Sequence, residues 1–129
     1  MVVLAGALVG PAAGGGSPLQ GTYSTKISGT PVALLNASWD VQFKADGHYV
    51  IYRAGKVVVS GVSSSVGSGG VKLTDMSGPA ACPGTTANGS YTWSFAKQSG
   101  HTYLVLRVKS DPCVGRKTVL TTHSLLKIK

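Results

Sequence analysis

Apolar and polar residues alternate along the segment from Ala37 to Ile51, ASWDVQFKADGHYVI. Trp39, Val41 and Phe43 fall on one side of an extended chain, and Ser38, Asp40, Gln42 and Lys44 on the other. That is the period-2 pattern of a half-buried strand. Lys44-Ala45-Asp46-Gly47 supplies a turn in which Gly47 is free to take positive φ. Tyr49 and Ile51 then alternate with His48 and Val50, which predicts a hairpin. The device repeats from Gly21 onward, with turn signals about every ten residues, the spacing of a sandwich or barrel. The pattern predicts strands over 21–28, 35–44, 47–54, 56–64, 70–75, 89–96, 101–109 and 114–122, a short tail strand at 125–128, and no helix of any length. Connections such as Ala54-Gly55 and Lys97-Gln98-Ser99-Gly100 are short, so sequential strands are expected to pair antiparallel. The expected fold is all-β, a single antiparallel up-and-down eight-stranded barrel, with a β-sandwich as the alternative.

The aromatic positions mark the interior. Tyr91, Trp93 and Phe95 share one face of their strand, and Leu104, Leu106 and Val108 share one face of the next, so these two faces are expected to meet. The opposite face of the second strand carries Tyr103, Val105 and Arg107, which is not cleanly polar and predicts cover by the N-terminal segment or by another molecule. Met76 to Ala87 is the longest connection, rich in Gly and Pro, and reads as a rim loop.

Composition narrows the picture. A chain of 129 residues has room for one domain, and the absence of Glu removes much of the raw material of exposed helices. The formal charge is +8. Its lysines (Lys26, Lys44, Lys56, Lys72, Lys97, Lys109, Lys127) are scattered near strand ends and turns, where they protect edges and keep the surface solvated. No basic stripe with interleaved aromatics is present, so specific nucleic-acid binding is not expected. Residues 1–20 form a separate segment and 21–129 the barrel domain. Val2 to Val9 is apolar but too short to span a bilayer. It suits the later part of a secretory signal peptide, without the positively charged n-region. Retained, it could instead donate a strand to a neighbouring copy.

Cys82 and Cys113 are compatible with a disulfide, with two thiols, or with half of a metal site. Neither has a second Cys or a His at zinc-ligand spacing, so no metal is expected. A bridge would close a loop of about 30 residues, contribute on the order of 3.5 kcal/mol, and imply an oxidising compartment. His48, His101 and His123 are far apart, each beside a turn. Asp40, Asp46, Asp75 and Asp111 form no pair at fixed spacing, and no nucleophile elbow surrounds any Ser. An enzyme is not expected on these grounds, although a barrel that works by folding its substrate in a shaped cavity leaves no motif. Asn36-Ala37-Ser38 and Asn88-Gly89-Ser90 are glycosylation sequons. The densest polar cluster is Asp111-Pro112-Cys113-Val114-Gly115-Arg116. Arg116 could meet an anionic ligand with Asp111 holding it, but the favoured reading is structural, with its guanidinium packed over the ring of Trp39.

Trp39 early in the barrel, the eight up-and-down strands, a disulfide late in the chain between Cys82 and Cys113, and Arg116 together resemble the calycin group of lipocalin and fatty-acid-binding barrels. More narrowly, they resemble small secreted bacterial lipocalin-like domains with a DxCxGR segment near the C-terminus. Lipocalins carry a G-x-W motif whose tryptophan is crossed by a C-terminal Arg or Lys; here the matching positions are Trp39 and Arg116, with Ala37 where the glycine is expected. The resemblance covers roughly Gly21 to Thr122. It implies a secreted protein, without cofactor, that binds an apolar or amphipathic small molecule in a lumen lined by Trp39, Phe43, Tyr91, Trp93, Phe95, Leu104 and Leu106. The alternative is a structural, self-assembling extracellular β module that uses the N-terminal arm as a donated strand.

Overall fold

A computed structural model of the chain describes residues 18–129. The expected N-terminal arm, Val2 to Val9, lies outside the described residues. Seven long strands follow one another: β1 (Gly21–Ile27), β2 (Ala37–Phe43), β3 (His48–Arg53), β4 (Lys56–Val66), β5 (Gly70–Ser77), β6 (Asn88–Gln98) and β7 (His101–Ser110). A helix α1 (Val114–Thr121) and a three-residue strand β8 (Leu125–Lys127) complete the chain. Every strand pairs antiparallel with its sequence neighbour, and β8 pairs with both β7 and β1 to close an eight-stranded barrel. This is the expected up-and-down barrel, compatible with a calycin-like fold, and the sandwich alternative falls away.

The turns follow from their residues. Ala54-Gly55 and Ser99-Gly100 join strands through two residues that all have positive φ, which matches the right-handed twist of a hairpin. In the β2–β3 turn, Gly47 takes φ 91° and Asp46 Oδ1 accepts the His48 N–H at 3.0 Å. The four-residue loop fixes the hairpin register, with Trp39 opposite Arg53, Val41 opposite Ile51 and Phe43 opposite Tyr49.

Large side chains fill the lumen. Tyr23, Val41, Phe43, Tyr49, Leu73, Tyr91, Leu104 and Leu125 are fully buried there, and Leu19, just ahead of β1, joins the same core. The Tyr23 hydroxyl donates to the Leu19 carbonyl at 2.9 Å, and burial pushes the Tyr23 phenol up to about 12. The Tyr49 ring lies across Gly61, its partner on β4, where a Cβ would sit 2.8 Å from the ring and 2.2 Å from the Thr74 carbonyl oxygen. Glycine there is what lets the barrel close over the ring. The two apolar faces of β6 and β7 meet as expected, with Trp93 opposite Leu106 and Phe95 opposite Leu104.

One expectation fails. Residues 114–122 are not the closing strand, and the chain does contain a helix. Arg116, Val119 and Leu120 are the buried residues of α1, and their spacing of three and four is helical. Val119 and Leu120 are adjacent and both buried against the barrel end, whereas a strand would turn them to opposite faces. The threonines that raised the β propensity are accommodated through their hydroxyls: Thr118, Thr121 and Thr122 donate to carbonyls four residues back at 2.6–2.8 Å. The barrel is closed instead by Leu125–Lys127, which reads in sequence only as a tail.

Adjacent burial gives a test. Leu120→Ala is expected to cost about 2–4 kcal/mol in urea unfolding and Val119→Ala somewhat less.

Candidate functional site

The loops 28–36, 54–55, 78–87 and the segment containing α1 all gather at one end of the barrel, because β1, β3, β5 and β7 finish there. On β5, Val71, Leu73 and Asp75 alternate inward, so the alternation that builds the core also delivers a carboxylate into it. Asp111 follows β7, and α1 brings Arg116 between the two acids. All three are buried.

Arg116 Nε donates to Asp111 Oδ2 at 2.8 Å and Nη2 to Asp111 Oδ1 at 2.6 Å, a bidentate pair. Nη1 lies 3.1 Å from Asp75 Oδ1 and donates to the Ala87 carbonyl at 2.7 Å, while Nη2 also donates to the Thr86 carbonyl at 3.3 Å. Four hydrogen bonds and the ion-pair contact with Asp75 thus surround the guanidinium. Each acid is held the same way on its other side. Tyr49 donates its hydroxyl to Asp75 and Tyr91 to Asp111. The Cys82 N–H donates to Asp75 Oδ2 at 2.9 Å and the Cys113 N–H to Asp111 Oδ1 at 2.8 Å. The two cysteines are joined as a disulfide. Gly89 makes room for the cluster, since a Cβ there would lie 2.6 Å from Asp111 Oδ2 and 2.9 Å from Arg116 Nη2.

Burial alone would raise the Asp111 carboxyl, but the hydrogen bonds from Arg116, Tyr91 and Cys113 outweigh it and hold it below the usual carboxylate range. Burial alone would likewise lower Arg116, and its bonds to Asp111 with the charge of Asp75 raise it instead. Tyr49 and Tyr91 are both pushed up, first by burial and then by hydrogen bonding to a carboxylate. The cluster is satisfied within the protein: among the described residues no buried side-chain polar atom lacks a hydrogen-bond partner. Asp75, Cys82 and Cys113 place potential ligand atoms within 4.8 Å of one another, but the bridge takes both sulfurs.

Above this cluster lies a cavity of about 370 Å³. Leu34 and Leu35 of the 28–36 loop, Trp39 and Ile51 of the wall, Val58 and Val59 of β4 and Val119 of α1 make it apolar. Arg116 and Asp75 form its floor, and Arg53 stands at its rim. The expected packing of Arg116 over Trp39 does not occur. Arg53, paired with Trp39 across the hairpin, has its guanidinium carbon 5.9 Å from the ring centre and donates through Nε to the Leu34 carbonyl at 2.7 Å. Trp39 Nε1 donates to the Leu35 carbonyl at 2.9 Å.

Of the seven residues expected to line a ligand site, Trp39 alone borders this cavity. Phe43, Leu104 and Leu106 are buried core, Tyr91 and half-buried Trp93 border a second, separate cavity of about 470 Å³ beside β5 and β6, and Phe95, 40% exposed, stacks on Tyr23 at the opposite end. Asn36 clasps its loop, accepting from the Thr30 N–H and hydroxyl and donating to the Thr30 carbonyl. Asn88 is exposed and accepts from the Thr74 hydroxyl at 2.7 Å. His48 pairs only with Asp46 in the far turn, 3.1 Å away. Sequence reasoning missed Asp75, although its place on an apolar face was a readable signal, and it missed Arg53, which the hairpin register sets opposite Trp39. Leu34 and Val58 carried no such signal. No family model, no curated protein and no solved structure matches the chain. A disulfide in a domain of this size is compatible with an extracellular location.

Two measurements follow from the cluster. Cys82 and Cys113 are 31 residues apart, so reduction is expected to lower stability by about 2–4 kcal/mol, and thiol labelling of the unreduced protein to find nothing. Stability is also expected to fall at both pH extremes. The Asp111 contribution is complete above the ordinary carboxylate pKa of about 3.9 and is lost as pH falls through its lower folded value. The contributions of Tyr23, Tyr49 and Tyr91 are complete below about pH 10 and are lost as pH rises through their higher folded values. Thermal midpoints against pH show the plateau, and the phenolate absorbance of Tyr49 and Tyr91 is expected to appear only with loss of tertiary structure.

Proposed function

We propose that this domain is a secreted, lipocalin-like binding protein whose ligand site is the cavity at the disulfide-bearing end of the barrel rather than the lumen. The observation that carries this reading is an apolar cavity of about 370 Å³ with one cation, Arg53, at its rim. Its size falls in the range of small-molecule sites, about 300–1,000 Å³. Because Arg116 is enclosed by both acids and the Thr86 and Ala87 carbonyls, the floor is already satisfied within the protein, and polar recognition falls to Arg53. The ligand is a small amphipathic anion, with its apolar body against Leu34, Leu35, Val58 and Val119 and its head toward Arg53. A buried cluster already satisfied within the protein favours binding over catalysis.

Titration with decanoate, followed through Trp39 emission in a Trp93→Phe background, tests the reading. Burial of six or seven methylenes at about 0.8 kcal/mol each corresponds to a dissociation constant on the order of 10⁻⁴ M. Val58→Asp is expected to abolish the saturable change. Arg53→Gln is expected to weaken decanoate several-fold and leave decanol unaffected. An emission signal that does not saturate with any anionic amphiphile, or that survives Val58→Asp, rules the cavity out as the site.

A further inference from the structure

The rim around the cavity is more apolar than a solvated loop cluster needs to be. Val32 is 52% exposed, Leu34 72%, Val57 50% and Val114 65%. Each either lines the cavity or is close in the chain to a residue that does: Val32 lies two residues before Leu34, Val57 beside Val58, and Val114 beside Gly115. The loop carrying Pro79 and Ala80 completes the ring, tied to β4 by the Ala80 N–H donating to the Val58 carbonyl at 3.0 Å. Four segments from different parts of the chain thus present apolar side chains at one end of the barrel.

The charge at that end is of one sign. Arg53 and Lys56 flank the β3–β4 turn, and Lys117 lies on α1. No exposed side-chain carboxylate answers them. The chain has four acidic residues: Asp75 and Asp111 are buried against Arg116, Asp46 sits in the β2–β3 turn at the opposite end, and Asp40 is in mid-strand on the barrel wall, across from Ser24 and Tyr52. Burying both nearby acids strips the mouth of negative charge and leaves its cations unopposed.

We propose that this end of the barrel docks on an anionic lipid bilayer. Val32, Leu34, Val57 and Val114 enter the headgroup boundary while Arg53, Lys56 and Lys117 meet lipid phosphates. An anionic bilayer complements the surface in both respects, since it offers apolar depth to side chains that water does not solvate and negative charge to cations that no carboxylate pairs. The cavity mouth then opens onto the membrane. The proposal does not depend on the cavity holding a ligand, and vesicle binding is measured without one.

The test is co-sedimentation of the full chain with vesicles of phosphatidylcholine alone or with about one-third phosphatidylglycerol. Binding is expected only with the anionic lipid, and to fall steeply between about 0.01 M and 1 M salt, as the Debye length contracts from about 30 Å to 3 Å. Lys56→Glu is expected to lower partitioning by about five-fold or more, the equivalent of one basic residue near the surface. Val32→Asp and Val114→Asp are expected to abolish it. Asp at the first position of α1 suits the helix dipole, so loss of binding by Val114→Asp with an unchanged melting temperature reports the surface and not the fold. Val66→Asp and Lys97→Glu, at the opposite end, are expected to change little. Equal losses from both ends would reduce the effect to overall charge and overturn the proposal, as would binding to neutral and anionic vesicles alike or to neither.

Discussion

One guanidinium between two buried carboxyl groups organises the disulfide-bearing end of this barrel. Arg116 is delivered by a helix, Asp75 by a strand and Asp111 by the segment between them, so the three meet only when β5, β7 and α1 are all in place. Buried ion pairs add little net stability compared with apolar packing, but losing one partner leaves an uncompensated charge and costs about 3–5 kcal/mol. The cluster therefore acts less as glue than as a condition. A barrel in which α1 packed differently would hold two acids with no cation, and that arrangement is heavily disfavoured.

The disulfide reinforces the same geometry by a different route. The backbone N–H of each cysteine bonds to one of the acids, so the covalent link and the ionic link join the same two loops. Tyr49 and Tyr91 extend the arrangement into the lumen, where their rings fill space and their hydroxyls complete the acids. Large side chains thereby fill the lumen, and an apolar cavity lies at the end, between the ion cluster and the loops. A residue set that reads as the lining of a carrier's lumen is for the most part buried core.

The polar interior also shapes the exterior. With Asp75 and Asp111 drawn inward, the excess of basic residues over acidic ones is left on the surface, and the mouth carries cations beside apolar side chains. Burial of two acids is a local packing event whose consequence is felt in the charge of the surface.

Strand alternation, turn chemistry and the short connections were legible in the chain because each depends on residues close in sequence. The hairpin at Lys44–Gly47 and the meeting of Trp93 with Leu106 belong to this class. The pairing of Cys82 with Cys113 stood among open alternatives, since nothing local decides between thiols and a bridge. The segment from Val114 to Thr121 was misread because its threonines favour strands locally. Only the barrel end, which buries Arg116, Val119 and Leu120 together, rewards a helix there. Trp39 was visible as a key side chain, yet its cation is Arg53 and not Arg116, because Asp75 and Asp111 compete for Arg116 with full charges, bidentate geometry and burial that a ring face cannot match. The cavity was not legible at all. Its walls come from two loops, several strands and a helix whose side chains become neighbours only after the barrel has closed, and a volume between distant segments has no signature in any one of them.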